Sequence, residues 1–208
     1  TPIIEVEMEP GDILYIPPGF PHDGFTYEAT LNYSVGVRGP NGRELISSFA
    51  DYVLENDLGE KYYTDPDLTC REHAGKVEDH ELERLRTLMI DMIRQPNDFK
   101  QWFGSFASTP RHELDVAPAE PPFTPEEVAE ALEDGEILRR LNGLRVLNVG
   151  GSFFINSECL ESCAPQAADA LCRYTELDKT HFGEALQNPA FVAELTELIN
   201  QGYWFFDE

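Results

Sequence analysis

Residues 11–22 read Gly11-Asp12-Ile13-Leu14-Tyr15-Ile16-Pro17-Pro18-Gly19-Phe20-Pro21-His22, the pattern G-x5-P-x-G-x2-H. Gly11-Asp12 makes a turn, Ile13 to Ile16 make an apolar strand, and Pro17-Pro18-Gly19 stops that strand and bends the chain. The bend delivers an imidazole, His22, just past a strand end. A neutral imidazole suits a divalent metal such as Fe(II), which oxygenases hold with two histidines and one carboxylate on one face, leaving three positions open. A turn histidine can also do no more than bond its own backbone; the twelve-residue frame favours the metal role.

The partners of such a ligand are a His-x-Asp or His-x-Glu pair on another strand. The other histidines are His73, His80, His112 and His181, and none of the five has an acid two residues on. His80-Glu81 and His112-Glu113 lack the H-E-x-x-H spacing and read as surface groups. Cys159 and Cys163 have a zinc-like separation, but Cys70 and Cys172 do not complete a set, so free thiols are expected.

Three kinds of segment must position His22. Residues 1–40 read as β: Ile3, Ile4, Val6 and Met8 alternate imperfectly, Ile13–Ile16 follow, and Ala29 to Val37 forms another strand. On that strand Leu31, Tyr33, Val35 and Val37 share one face, and Asn32, Ser34 and Gly36 the other. A chain that opens on Thr1 as though inside a strand is expected to be truncated at its N-terminus. Residues 41–109 turn helical. Leu45 to Leu54 fit one helix ending near Gly59, Leu82 to Ile93 fit a second that stops before Pro96, and Asn97-Asp98 can cap a third carrying Phe99, Trp102, Phe103 and Phe106. Their apolar stripes fit a core or a dimer interface. Residues 110–123, with Pro110, Pro118, Pro121 and Pro122, read as a linker or extended arm.

Residues 124–208 read as a small α+β domain. Thr124-Pro125-Glu126-Glu127 is a capping box with Pro at N1, opening a helix to Asp134-Gly135. Short strands are expected around 137–141, 144–149 and 152–156, with Asn142-Gly143 and Gly150-Gly151 as hairpin turns. Two more helices, near 165–175 and 189–201, complete a winged-helix-like order.

The net charge is −24, from 15 basic and 39 acidic residues. That repels phosphate backbones, and the candidate recognition helix near 167–175 carries a single Arg, Arg173, so direct DNA binding is not expected. The apolar runs are far shorter than the roughly 20 residues of a membrane span, and no signal peptide is visible, so a cytoplasmic protein without membrane contact is expected.

The His22 frame is the second signature segment of the double-stranded β-helix, or cupin, fold. Together with Asn32-Tyr33-Ser34-Val35-Gly36, Arg43-Glu44-Leu45-Ile46, Lys100-Gln101-Trp102-Phe103-Gly104 and Gly202-Tyr203-Trp204-Phe205-Phe206, it resembles the bacterial JmjC-type ribosomal oxygenases, and among them the ribosomal-protein arginine hydroxylases. The resemblance runs along the whole chain and covers roughly the second half of such an enzyme. It implies an α+β fold: barrel strands in 1–40, a helical dimerisation region in 41–109, a linker in 110–123 and a winged-helix-like domain in 124–208. It implies an Fe(II)/2-oxoglutarate-dependent dioxygenase that hydroxylates the β-carbon of an arginine in a large-subunit ribosomal protein. His22 matches the distal metal ligand, the His-x-Asp pair would precede Thr1, and the isolated chain is expected to be inactive. Asn32 and Ser34 are placed to hydrogen-bond the cosubstrate, or to satisfy one another and water. A reading of another class treats the chain as a non-catalytic, dimeric protein-interaction module; an in-frame His-x-Asp upstream in the gene would decide for the enzyme.

Overall fold

The computed structural model describes residues 4–73 and 75–206, so Thr1 and Ile3, used above, lie outside the described residues. The chain divides into two units, Thr1–Gly39 and Pro40–Glu208.

In the first unit the expected strands do not form among the described residues. Ile13–Ile16 and Ala29–Val37 run without a ladder, and Ile13 and Val37 are each 94% exposed. The apolar pattern is that of strands, but a strand exists only where its N–H and C=O groups meet those of a neighbour. No other described segment of this unit provides one.

The second unit opens on α1 (Gly42–Glu55). Asn41 Oδ1 accepts from the Arg43 and Glu44 amides, and Glu44 Oε2 accepts from the Asn41 amide at 3.0 Å, closing a capping box. A long loop leads to α2 (Asp79–Ile93) and is clamped to it by two arginines. Arg71 donates to both carboxylate oxygens of Glu81 and to the Lys76 carbonyl, while Arg84 donates to Asp65 and Asp67. Glu81 also accepts from the Glu78 amide at 2.7 Å. The Arg71 hydrogen bond, followed by that of the Glu78 amide, holds the Glu81 carboxyl at about 2, well below its ordinary 4.5. A depressed carboxyl stabilises the fold above its unfolded pKa and loses that contribution as pH falls. The clamp should therefore weaken between about pH 4.5 and 2. Carboxyl carbon shifts will report this as a Glu81 midpoint near 2; a midpoint near 4.5 would mean the clamp is not formed in solution.

α3 (Pro96–Ser108) starts at least two residues earlier than expected: Gln95 is the N-cap, not Asn97-Asp98, because Pro96 fits N1, where its missing N–H costs nothing. Its aromatic face meets α1. Trp102 is 4% exposed, donates Nε1–H to Ser48 Oγ at 3.0 Å, and has Phe49 and Phe99 with ring centroids at 5.1 Å. Gly104 lies against the buried ring of Phe154, so close that a Cβ would overlap it. The helix C-terminus is also tied down. Arg145 Nη1 donates to the carbonyls of Ala107 and Thr109 at 3.2 and 3.3 Å, and Ser108 Oγ accepts from the Ser157 amide at 3.0 Å. The two Arg145 bonds satisfy carbonyls that a helix end leaves open.

The rest keeps the expected winged-helix order, with three strands and a short helix beyond those expected and one hairpin corrected. α4 (Pro125–Glu133) has the expected capping box, with the Thr124 amide donating to Glu127 Oε2 at 2.8 Å. Then come β1 (Leu138–Arg140), β2 (Val146–Val149), β3 (Ser152–Ile155), β4 (Glu158–Leu160), α5 (Pro165–Arg173), β5 (Glu176–Leu177), α6 (Lys179–Phe182), a 3-10 turn (Gly183–Gln187), α7 (Pro189–Asn200) and β6 (Trp204–Phe206). β2, β3 and β4 form an antiparallel meander whose first turn is Gly150-Gly151, as expected. Asn142-Gly143 is not a hairpin turn between neighbouring strands. β1 pairs instead with β5 and β6, with Leu138 opposite both Leu177 and Phe206. The core gathers Val128, Leu132, Leu138, Phe191, Leu195 and Trp204 from elements far apart in sequence.

The proline-rich arm is extended and pinned to the end of α7. Ala119 N–H donates to the Asn200 carbonyl at 3.1 Å, and the Asn200 side chain exchanges two hydrogen bonds with the Phe123 backbone. At Gly202, with φ +79, any Cβ would fall 2.8 Å from the Ala117 carbonyl carbon and closer still to its oxygen.

Candidate functional site

The metal-ligand candidate stands on two linked turns. The Asp12 amide donates to the Glu9 carbonyl at 3.0 Å, and Asp12 Oδ2 accepts from the Glu9 amide at 2.9 Å. Past the Ile13–Ile16 stretch, the Phe20 amide donates back to the Pro17 carbonyl at 3.4 Å. His22 Nδ1 lies 3.2 Å from the Phe20 carbonyl. A carbonyl can only accept, so this contact is a hydrogen bond in the tautomer with the proton on Nδ1, the one that leaves Nε2 its lone pair. His22 is exposed, as are Asn32 and Ser34 on the extended Ala29–Val37 stretch.

Does this fit iron? As one ligand it does, because metal-bound imidazoles characteristically donate their other ring N–H to a carbonyl or carboxylate. Among the described residues no group of three or more His, Cys, Asp or Glu comes together to complete a metal site. His73, His80 and His112 are exposed, with His80 on α2. His181 instead helps cap α6: its Nδ1 lies 2.8 Å from Asp178 Oδ1 and 3.1 Å from the Asp178 amide. The Asp178 carboxyl is held at about 2, first by the Thr180 hydroxyl and then by His181. The four cysteines are free thiols, and burial pushes Cys172 up to about 11.

The helices of the second unit present apolar side chains outward. Ile46 is 73% exposed on α1 and Met89 65% on α2, with Leu54, Leu82, Leu85 and Ile93 also exposed. Among the described residues no helix is long and apolar enough to cross a membrane. The sole basic residue within α5, Arg173, is paired with Asp169 at 2.6 Å.

With this architecture and the His22 frame in hand, the class is clear: the chain belongs to the ROXA-like winged helix family, which matches residues 91–205. Residues 1–45 match the JmjC domain. The winged-helix match reaches back through α3, the helix that packs on the β2–β4 sheet. Among curated relatives, the chain is similar to the ribosomal protein uL16 3-hydroxylase of Escherichia coli, 54% identical over 205 residues, covering 99% of this chain and 55% of that protein. A probable ribosomal oxygenase of Haemophilus influenzae is 29% identical over 205 residues, covering 93% of this chain and 48% of that one. Among solved structures, YcfD, a ribosomal oxygenase from Escherichia coli in complex with cobalt and 2-oxoglutarate, superposes with a TM-score of 0.76 at 51% identity, over 82% of this chain and 47% of that one. The chain spans about half the length of the curated relatives it matches.

Proposed function

We propose that the chain works as the C-terminal portion of an Fe(II)/2-oxoglutarate-dependent oxygenase that hydroxylates an arginine side chain of a large-subunit ribosomal protein, of the uL16 type. The observation that carries this is His22: a G-x5-P-x-G-x2-H frame whose imidazole has Nδ1 committed to a backbone carbonyl and Nε2 left to ligate. The names of the relatives, a uL16 3-hydroxylase and a ribosomal oxygenase solved with cobalt and 2-oxoglutarate, support the same chemistry. Bound beside His22, Fe(II) with 2-oxoglutarate and O2 supplies the oxidising power, with succinate and CO2 as by-products. Within this chain His22 Nε2 is the metal ligand, and Asn32 and Ser34 donate hydrogen bonds to the cosubstrate. Residues 1–40 contribute barrel wall, 41–109 the dimer contact, 110–123 the linking arm and 124–208 the winged-helix domain. A ribosomal substrate makes the cytoplasm the site of action, and the acidic surface disfavours direct DNA binding.

Mass spectrometry of the ribosomal protein, from cells with and without the gene, is the direct test. One added oxygen on an arginine that disappears with the gene is the expected result; an unmodified protein in both would sink the reading. The 208-residue chain alone should form no succinate above a metal-only control, since one imidazole does not retain a labile divalent ion. Turnover by the chain alone would mean that its ligand set is not the one proposed.

The outward apolar faces of α1 and α2 favour a homodimer, because large exposed apolar surfaces mark interfaces and homo-oligomers close most often as two-fold pairs. Light scattering at micromolar concentration should give twice the 23.5 kDa chain mass. Ile46→Glu with Met89→Glu should return it to one chain mass. A monomer before substitution would place those side chains outside any self-contact.

A further inference from the structure

The turn before His22 does more than bend the chain. Gly19 sits at φ +82, where an L side chain is strained, and the Phe20 amide closes the turn on Pro17. That geometry carries the Phe20 carbonyl to 3.2 Å from His22 Nδ1. A neutral imidazole free in water prefers its proton on Nε2, the form in which Nε2 cannot ligate. The Phe20 carbonyl favours the other tautomer, and a net hydrogen bond of ordinary strength shifts such a ratio by up to roughly tenfold.

We propose that the Phe20 backbone carbonyl is a positioning group for His22, holding the imidazole in its Nε2-ligating tautomer before any metal arrives. The proposal rests on the reading of His22 as a metal ligand. Its economy is that ligation then needs no tautomer change, and the group that fixes the proton lies within the same turn. Gly19 is the means of control. A Cβ there would meet nothing within 4 Å, so Gly19→Ala changes the turn only through its φ and not by collision. Gly39 also has open space around it and no positive φ, which makes Gly39→Ala the matched control.

Long-range proton–nitrogen spectra of the 208-residue chain near pH 8.5, about two units above an ordinary histidine pKa, read the tautomer of each ring directly. His22 should show the Nδ1–H form, while exposed His80 and His112 show the usual Nε2–H form. Gly19→Ala should move His22 toward their pattern, and Gly39→Ala should not. In the full-length protein, Gly19→Ala should weaken Co(II) binding, followed by visible absorption, by about 10-fold or more, the scale on which loss of an outer hydrogen-bond partner acts. A His22 in the Nε2–H form whose replacement by Ala still abolishes cobalt binding overturns this inference alone. Undiminished cobalt affinity in His22→Ala removes the ligand reading, and the inference with it.

Discussion

His22→Ala, made in the full-length protein, should abolish hydroxylation while leaving the fold in place. The side chain is exposed and its one described bond is local, to Phe20, so little packing is lost. On the proposed reading the metal then loses one of three protein ligands, a larger loss than the roughly 10–100-fold that follows removal of an outer-shell partner. Product mass and far-ultraviolet circular dichroism, measured together, separate the two effects. Near-native turnover would make His22 a structural turn residue and remove the central assignment.

The second large effect concerns stability. Gly104→Ala should destabilise the Pro40–Glu208 unit by about 1–3 kcal/mol, the usual cost of overfilling a packed contact. The added methyl would overlap the ring of Phe154, which is 0% exposed and has no free space to enter. For a chain of this size the midpoint should fall by roughly 2–4 °C per kcal/mol. Phe154→Leu in the same chain should recover part of the loss, and a double-mutant cycle would show the two positions coupled. Additive costs would mean that α3 does not sit on the sheet as described.

The helices were legible because 3.6-residue periodicity and caps are local signals; Thr124 closes the box that Pro125-Glu126-Glu127 advertise, whereas the box at Asn41 went unread. Strand pairing was legible only where a turn joins neighbours, as at Gly150-Gly151. β1 was placed correctly but its partners were not, because Asn142-Gly143 states that the chain turns, not which strand it will meet. Its partners are a two-residue β5 and a β6 whose Trp-Phe-Phe run shows no alternation. β4 escaped notice because Asn156 and Ser157, both at positive φ, are not an obvious turn pair. In residues 4–39 the strand pattern is present without the ladder, since pattern sets faces but pairing needs a neighbour. The frame singles out His22 as a candidate ligand. The Phe20 carbonyl could not be read, because backbone groups carry no residue signature.

Gly104 and Gly202 both permit a close approach, yet they differ in what a changing sequence can do about it. At Gly104 the obstacle is a side chain, so a smaller residue at position 154 can make room for a larger one at 104, and the pair can drift together. At Gly202 the obstacle is the main chain of Ala117, and the backbone there is already in the region an L side chain resists. No replacement at 117 moves that carbonyl. A change of side chain at 117 therefore does not relieve the contact, and the chain just past α7 is bound to accept the arm with a glycine.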